Sequence, residues 1–353
     1  MYLPVTIAAM TDRVSFRNIP LILVFILMAL LSACSLQSSG PLATATSAAP
    51  ATTPTTAPSP TTTPEPEEIW LVASPQVDPV LLQEVTAWLE EQAASEGFNL
   101  RNVDSFLTGE VNERVKVVVS LTDIEDIENL AANFPDLDFI VFSEQEISTA
   151  ENLSVIRSDP NLMAFLAGYL ATLNAPDFRS GGLFMDQGDH SARLQESFLN
   201  GGRYLCGRCS PVYAPIVAFP QVGLVPAGAD AAGWQAAFDT LNQHRIEMLY
   251  VPAEGLQPAF LDYLMGQNVG LISNGAPPPG YESLWVASVM TDSLSALQEL
   301  WLEISAGSSG REVQADLILA NINRENLSPG RQQLAETLIP ELISSAIVPL
   351  SVP

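Results

Sequence analysis

The chain has 353 residues, of which 47% are hydrophobic and 15% charged. That length and apolarity suffice for a large core or two domains and exclude a wholly disordered protein. The formal net charge of -26, with Lys116 the sole lysine, repels phosphate backbones and anionic lipid heads, so nucleic acid is set aside as a partner.

Arg13 and Arg17 precede an apolar run from Ile19 to Leu31, shorter than the roughly 20 residues a bilayer span requires. The small residues Ser32 and Ala33 follow it, which is the layout of a secretory signal. A start at Met10 would give a more ordinary basic region. Leu31-Ser32-Ala33-Cys34 resembles the lipobox of bacterial lipoproteins, and the resemblance implies cleavage before Cys34 and a diacylglycerol on its sulfur. We therefore expect a signal peptide over 1–33 and a protein lipid-anchored at the extracytoplasmic face of the cell membrane. Residues 34–67 are rich in Ala, Thr and Pro, with no large apolar side chain after Leu42, and predict a disordered tether.

From residue 68 to 353 the pattern alternates strand and helix. "EIWLVAS" predicts a strand, and Asp78-Pro79 a helix start with Leu81, Val85, Trp88 and Leu89 on its apolar face. "RVKVVVSL" reads as a buried parallel strand. Thr122-Asp-Ile-Glu125 has the form of a capping box for the next helix, whose Ile124, Ile127, Leu130 and Phe134 share a face. "DLDFIVFS" follows as a strand, and Asp159-Pro160 repeats the helix-start signal before "NLMAFLAGYLATL", where Ala164 and Gly168 allow close approach of another element. Further strands are predicted at "GGLFMDQ", "VYAPIVAFP", "EMLYVPA", "VGLISNG" and "SLWVASVM", with helices opening near Ser191, Asp230, Leu256, Asp292 and Ser328.

This alternation predicts an α/β fold of two doubly wound, Rossmann-like lobes with a ligand cleft between them. Lobe 1 is expected over about 68–177 plus part of 280–325, and lobe 2 over about 178–279 plus part of the C-terminus. Ligands of such sheets bind outside the carboxyl ends of the strands. That rule brings Ser74, Ser143, Asp186, Phe219, Glu254 and Asn274 to the cleft, with Gln76 beside the first. Trp285 and Tyr281 flank the proline-rich "GAPPPGYESLW" and offer rings either for stacking on a ligand or for packing the loop.

Phe165-Leu166-Ala167-Gly168-Tyr169-Leu170-Ala171 resembles the FLAGYLAA helix of the basic membrane protein family. "SGGLFMDQGD", "WVASVMTDSLSALQELW" and the closing "LILANINRENLSPGRQQLAETLIPELISSAIVP" are similar to that family in the same order. The resemblance implies the type 1 periplasmic binding protein fold and a lipoprotein of an ABC importer. A small-molecule ligand and a permease partner would follow from it. The nucleoside-binding signatures of the family do not carry over. "ASPQVDPVLL" stands where they have Asp-x-Ser-Phe-Asn, "LISNGAPPPG" replaces their Asp-rich motif, and no lysine follows the strand at Thr291. The expected ligand is therefore not a typical purine nucleoside.

Catalysis is not expected. His190 lies near Asp186, Asp189 and Ser191, but this cluster reads as a polar loop with Asp189 at a helix start. His244 ends a helical pattern, where a cation suits the dipole. No HExxH, phosphate loop or GxSxG occurs, so neither a metal nor a cofactor is predicted. Cys206 and Cys209 in "CGRC" leave two readings, a structural disulfide in an exported chain or a redox pair. A surface lipoprotein serving as a ligand sensor or structural module, without transport, is the alternative role.

Overall fold

The computed structural model describes residues 65–75 and 77–350. Cys34, the apolar run before it, the tether up to residue 64 and Gln76 lie outside the described residues. Two sheets of six strands organise the body. The first contains β1 (Glu68–Val72), β2 (Asn99–Val103), β3 (Val115–Ser120), β4 (Asp138–Ser143), β5 (Leu153–Arg157) and β11 (Glu312–Gln314). They are all parallel, in the order β11-β5-β4-β3-β1-β2. The second holds β6 (Ser180–Met185), β7 (Gln221–Val225), β8 (Met248–Tyr250), β9 (Gly270–Ser273), β10 (Trp285–Asp292) and β12 (Asp316–Ala320). Its order is β12-β10-β9-β8-β6-β7, with only the β10–β12 pair antiparallel.

Each sheet is apolar on both faces because helices cover both. Along β1, Ile69 and Leu71 join one core while Trp70 and Val72 join the other. The first of these cores is closed by α1 (Pro79–Glu96) and α7 (Ser293–Ser305), the second by α2 (Ile127–Asn133). On the second sheet, α3 (Pro160–Asn174), α4 (Asp189–Cys206) and α8 (Pro329–Ile343) cover one face, and α5 (Ala231–Leu241) with α6 (Pro258–Met265) the other. Val85 and Leu89 of α1 are fully buried, each worth about 1.5–3 kcal/mol relative to exposure.

The helix starts follow the sequence closely. Asp78 accepts from the N–H of Val80 at 2.7 Å, Asp159 from Asn161 at 2.8 Å, Asp230 from Gly233 at 3.1 Å and Asp292 from Ser295 at 3.1 Å. The expected capping box at Thr122 does not form. Helix α2 begins only at Ile127, after Asp126 in the left-handed region at φ 57°. Thr122 and Asp123 are held instead at the strand ends, where the Thr122 carbonyl accepts from Ser120 Oγ and Asp123 Oδ1 from Ser143 Oγ.

The segment "VYAPIVAFP" is not a strand. Prolines at 215 and 220 remove ladder donors, and buried Arg179, itself fixed by donating to the carbonyl of His244 at 2.9 Å, holds this stretch as a loop by donating to the carbonyl of Tyr213 at 2.6 Å. The strand of this region is β7, directly after Pro220. A disulfide joins Cys206 and Cys209 at the base of the loop, with Cα atoms 5.4 Å apart.

The chain passes between the sheets three times, from β5 to α3, from β10 to α7 and from β11 to β12. Helix α3 packs on the second sheet, so the first passage lies at residues 158–159 and not near 177 as expected. Of the stretch 280–325, part of which was expected in the first lobe, α7 and β11 do join the first sheet, while β10 and β12 belong to the second. In the third passage a single residue, Ala315, separates β11 from β12, and its N–H donates to the carbonyl of Arg157 at 2.8 Å. Two of the passages are thereby hydrogen-bonded to each other.

Candidate ligand cleft

The carboxyl ends of parallel strands from both sheets open on a cleft of about 650 Å³ beside these passages. Ser74, Ser143 and Asn274, from β1, β4 and β9 respectively, come together there, joined by Ser158, Asp292 and Ser293 of the passages. Leu121, Phe142, Met163, Met290, Leu294 and Ile318 supply apolar wall between the polar groups.

Ser143 is buried at the end of β4, where its hydroxyl donates to Asp123 Oδ1 at 3.0 Å and accepts from the Gln145 N–H at 3.0 Å. Asn274 engages its side-chain oxygen with the Ala253 N–H at 2.7 Å, which fixes the loop after β8. Its amide NH2 makes no hydrogen bond to another described residue. These geometries are set by the chain itself, so the polar groups stand ready without rearrangement.

Four other sequence candidates lie elsewhere. Asp186 turns over the start of α4, accepting from the Gly188 N–H at 3.2 Å, and does not line the cleft. Trp285 is a core residue of the second lobe, 1% exposed, whose indole N–H donates to Ser288 Oγ at 2.9 Å. Being the first residue of β10, it sits at the amino end of its strand, the wrong end for the cleft. Phe219 is buried in the same core. Tyr281 serves packing, its hydroxyl donating to Asp262 Oδ1 at 2.9 Å on α6. His190 and Glu254 line a narrow extension of the cleft with Glu144, Tyr250 and Asn274.

The electrostatics are one-sided. Asp78, Glu84, Asp123, Glu144 and Asp292 line the cleft, and among the described residues no Lys, Arg or His lines its main chamber. Asp78 and Asp292 are committed to the first turns of α1 and α7. Glu84 and Glu144 have neither a hydrogen bond nor an ion pair among the described residues. The recessed position of Glu144 lifts its pKa above the usual 4.5, and the nearby carboxylates of Glu254, Asp123 and Asp159 lift it further. Burial, with the charges of Glu254 and Glu144, pushes the Tyr250 phenol well up, so it stays protonated. Sequence reasoning stopped one residue short at Ser143 and did not single out Glu84 on α1. Among the described residues no group of three or more His, Cys, Asp or Glu is placed to hold a metal.

No family model and no curated protein matches the chain. Solved structures do. An ABC transporter system solute-binding protein from Conexibacter woesei superposes with a TM-score of 0.58 at 16% identity, covering 81% of this chain and 98% of that one. A second, from Aeropyrum pernix, gives 0.59 at 14% identity over 80% and 93% of the two chains. A transcriptional activator of the comK gene from Bacillus halodurans gives 0.56 at 14% identity over 80% and 99%. At these identities the likeness speaks for architecture, and what the chain shares with ABC solute-binding proteins is the two-lobed α/β fold.

Proposed function

We propose that the protein is an extracytoplasmic solute-binding lipoprotein of an ABC-type importer, related to the basic membrane protein family and tethered through Cys34. Its lobes would close on a small molecule and present it to a permease. The observation that carries the reading is the cleft itself. Two sheets direct their strand ends at one cavity of about 650 Å³, a volume within the range of small-molecule sites. The passages at its edge would act as the hinge for that closure. The role is binding, not catalysis, and a typical purine nucleoside is not the ligand, because "ASPQVDPVLL" and "LISNGAPPPG" stand in the sequence where the nucleoside receptors carry their Asp-x-Ser-Phe-Asn and Asp-rich motifs.

A thermal-shift screen of the purified body against small solutes tests the binding role. Stabilisation by some solute class is expected, and titration calorimetry with adenosine, guanosine and inosine should show no micromolar binding. Mass spectrometry of the membrane form tests the anchor, since an unmodified Cys34 there would overturn it. A second reading, a ligand sensor without transport, draws support from the likeness to the comK activator. Genes for a permease and an ATPase beside this one would favour transport.

A further inference from the structure

We infer that the cleft recognises an amphipathic organic cation, its ammonium held by Glu144 and Glu254 beside the Tyr250 hydroxyl and its apolar part against Phe142, Met163 and Met290. This rests on the solute-binding reading above and names the ligand class of the same cleft.

Charge gives the first argument. Binding proteins commonly meet anionic ligands with free helix N-termini, whose N–H groups and dipole favour negative charge. Here α1 and α7 open on the cleft with N–H groups already taken by Asp78 and Asp292, and α3 beside it is capped by Asp159. An anion would displace these carboxylates or lie against them. Glu144 lines the cleft, its narrow extension and the neighbouring mouth alike, so any ligand seated there meets it. Arg157 and Arg193 sit around that mouth, and Arg157 is already paired with Glu146 and Glu312. His190, in the first turn of α4, faces the extension without an ion pair to Glu144 or Glu254.

Tyr250 supplies an independent argument. The residue is 5% exposed, its ring packed against Phe184 and Phe198 with centroids 5.5 and 5.8 Å away. Its hydroxyl reaches the extension and has no hydrogen-bond partner among the described residues. A hydroxyl with no protein partner on an otherwise buried residue is left free to pair with a ligand group entering the extension. The phenol oxygen can accept from an ammonium while the carboxylates neutralise it, and the surrounding rings add attraction for a cation. The described residues offer no cluster suited to a metal, so an organic ammonium is the cation these groups fit.

The test is a thermal-shift screen with a library balanced between cationic, neutral and anionic small solutes, followed by calorimetry on the best binder. Cations should dominate the hits, and the affinity of the best should fall as sodium chloride is raised. Glu144→Gln should weaken it about tenfold, the usual scale for losing one charged hydrogen bond. Glu254→Gln should act in the same direction, and it serves as the second variant if Glu144→Gln folds poorly. Tyr250→Phe should weaken binding less. Hits that are chiefly neutral or anionic, or a cation whose affinity both Gln variants leave unchanged, would overturn the cation assignment and leave the solute-binding reading intact. No hit in any charge class would count against both.

Discussion

Gly168 of α3 and Gly201 of α4 are two halves of one helix contact. A Cβ on Gly168 would overlap the carbonyl of Phe198, and one on Gly201 would overlap the carbonyl of Phe165. The opposing atoms are backbone on both sides, so neither can yield by changing a rotamer. Gly168→Ala or Gly201→Ala should therefore separate the helices and cost about 1–3 kcal/mol, measured as a lower urea midpoint with an unchanged slope.

Asn274 and Trp285 should separate ligand effects from stability effects. Asn274→Ala removes the acceptor for the Ala253 N–H at the cleft edge, so ligand affinity should fall while the fold loses about 0.5–1.5 kcal/mol. Trp285→Phe keeps an aromatic ring in the core but removes the indole N–H that donates to Ser288 Oγ and leaves part of the indole's volume unfilled. It should cost about 1–3 kcal/mol of stability and leave affinity within about twofold, by calorimetry.

Glu144 sets a pH dependence with a definite sign. Its folded-state pKa lies above 4.5, so below that value it is protonated in both states and carries no penalty. As the pH rises through 4.5 toward the folded value, the unfolded chain ionises first and stability is lost. Glu144→Gln should thus raise the melting temperature slightly at pH 7, with the difference vanishing below about pH 4. Because the side chain opens to solvent, the effect should be small and should shrink further in high salt. A variant less stable than the parent at pH 7 would contradict this placement.

The Cys206–Cys209 disulfide closes a loop with a sequence separation of three. Loop-closure entropy for so short a ring amounts to only about 2 kcal/mol. Cys206→Ser with Cys209→Ser should fold and lose no more than that, and alkylation of protein from its native compartment should detect no free thiol at either position.

Much of the architecture was legible because it is written in local chemistry. Asp78, Asp159, Asp230 and Asp292 announce their helices with a side chain that caps the first turn. Strands buried on both faces, such as β3 with "VKVVVS", read as near-continuous apolar runs. Strand β2, "NLRNV", escaped notice because it lies at a sheet edge and is largely exposed, so no apolar pattern marks it. The apolar "VYAPIVAFP" misled for the opposite reason, since Val212, Tyr213 and Ile216 are all strongly exposed in a loop fixed by Arg179. Of the cleft, the strand-end rule found Ser74, Ser143 and Asn274. It could not find Glu144 or Tyr250, whose meeting depends on how two lobes distant in sequence face each other.

The three passages between the sheets carry a consequence for the gene. Neither lobe is a contiguous stretch of code, since the first needs β11 and α7 from the last quarter of the chain. No single truncation can yield one lobe intact, and a nick at one passage leaves two others holding the halves together. Such a body can be inherited, duplicated or fused only as a whole, and its lobes cannot be exchanged separately by recombination at one point.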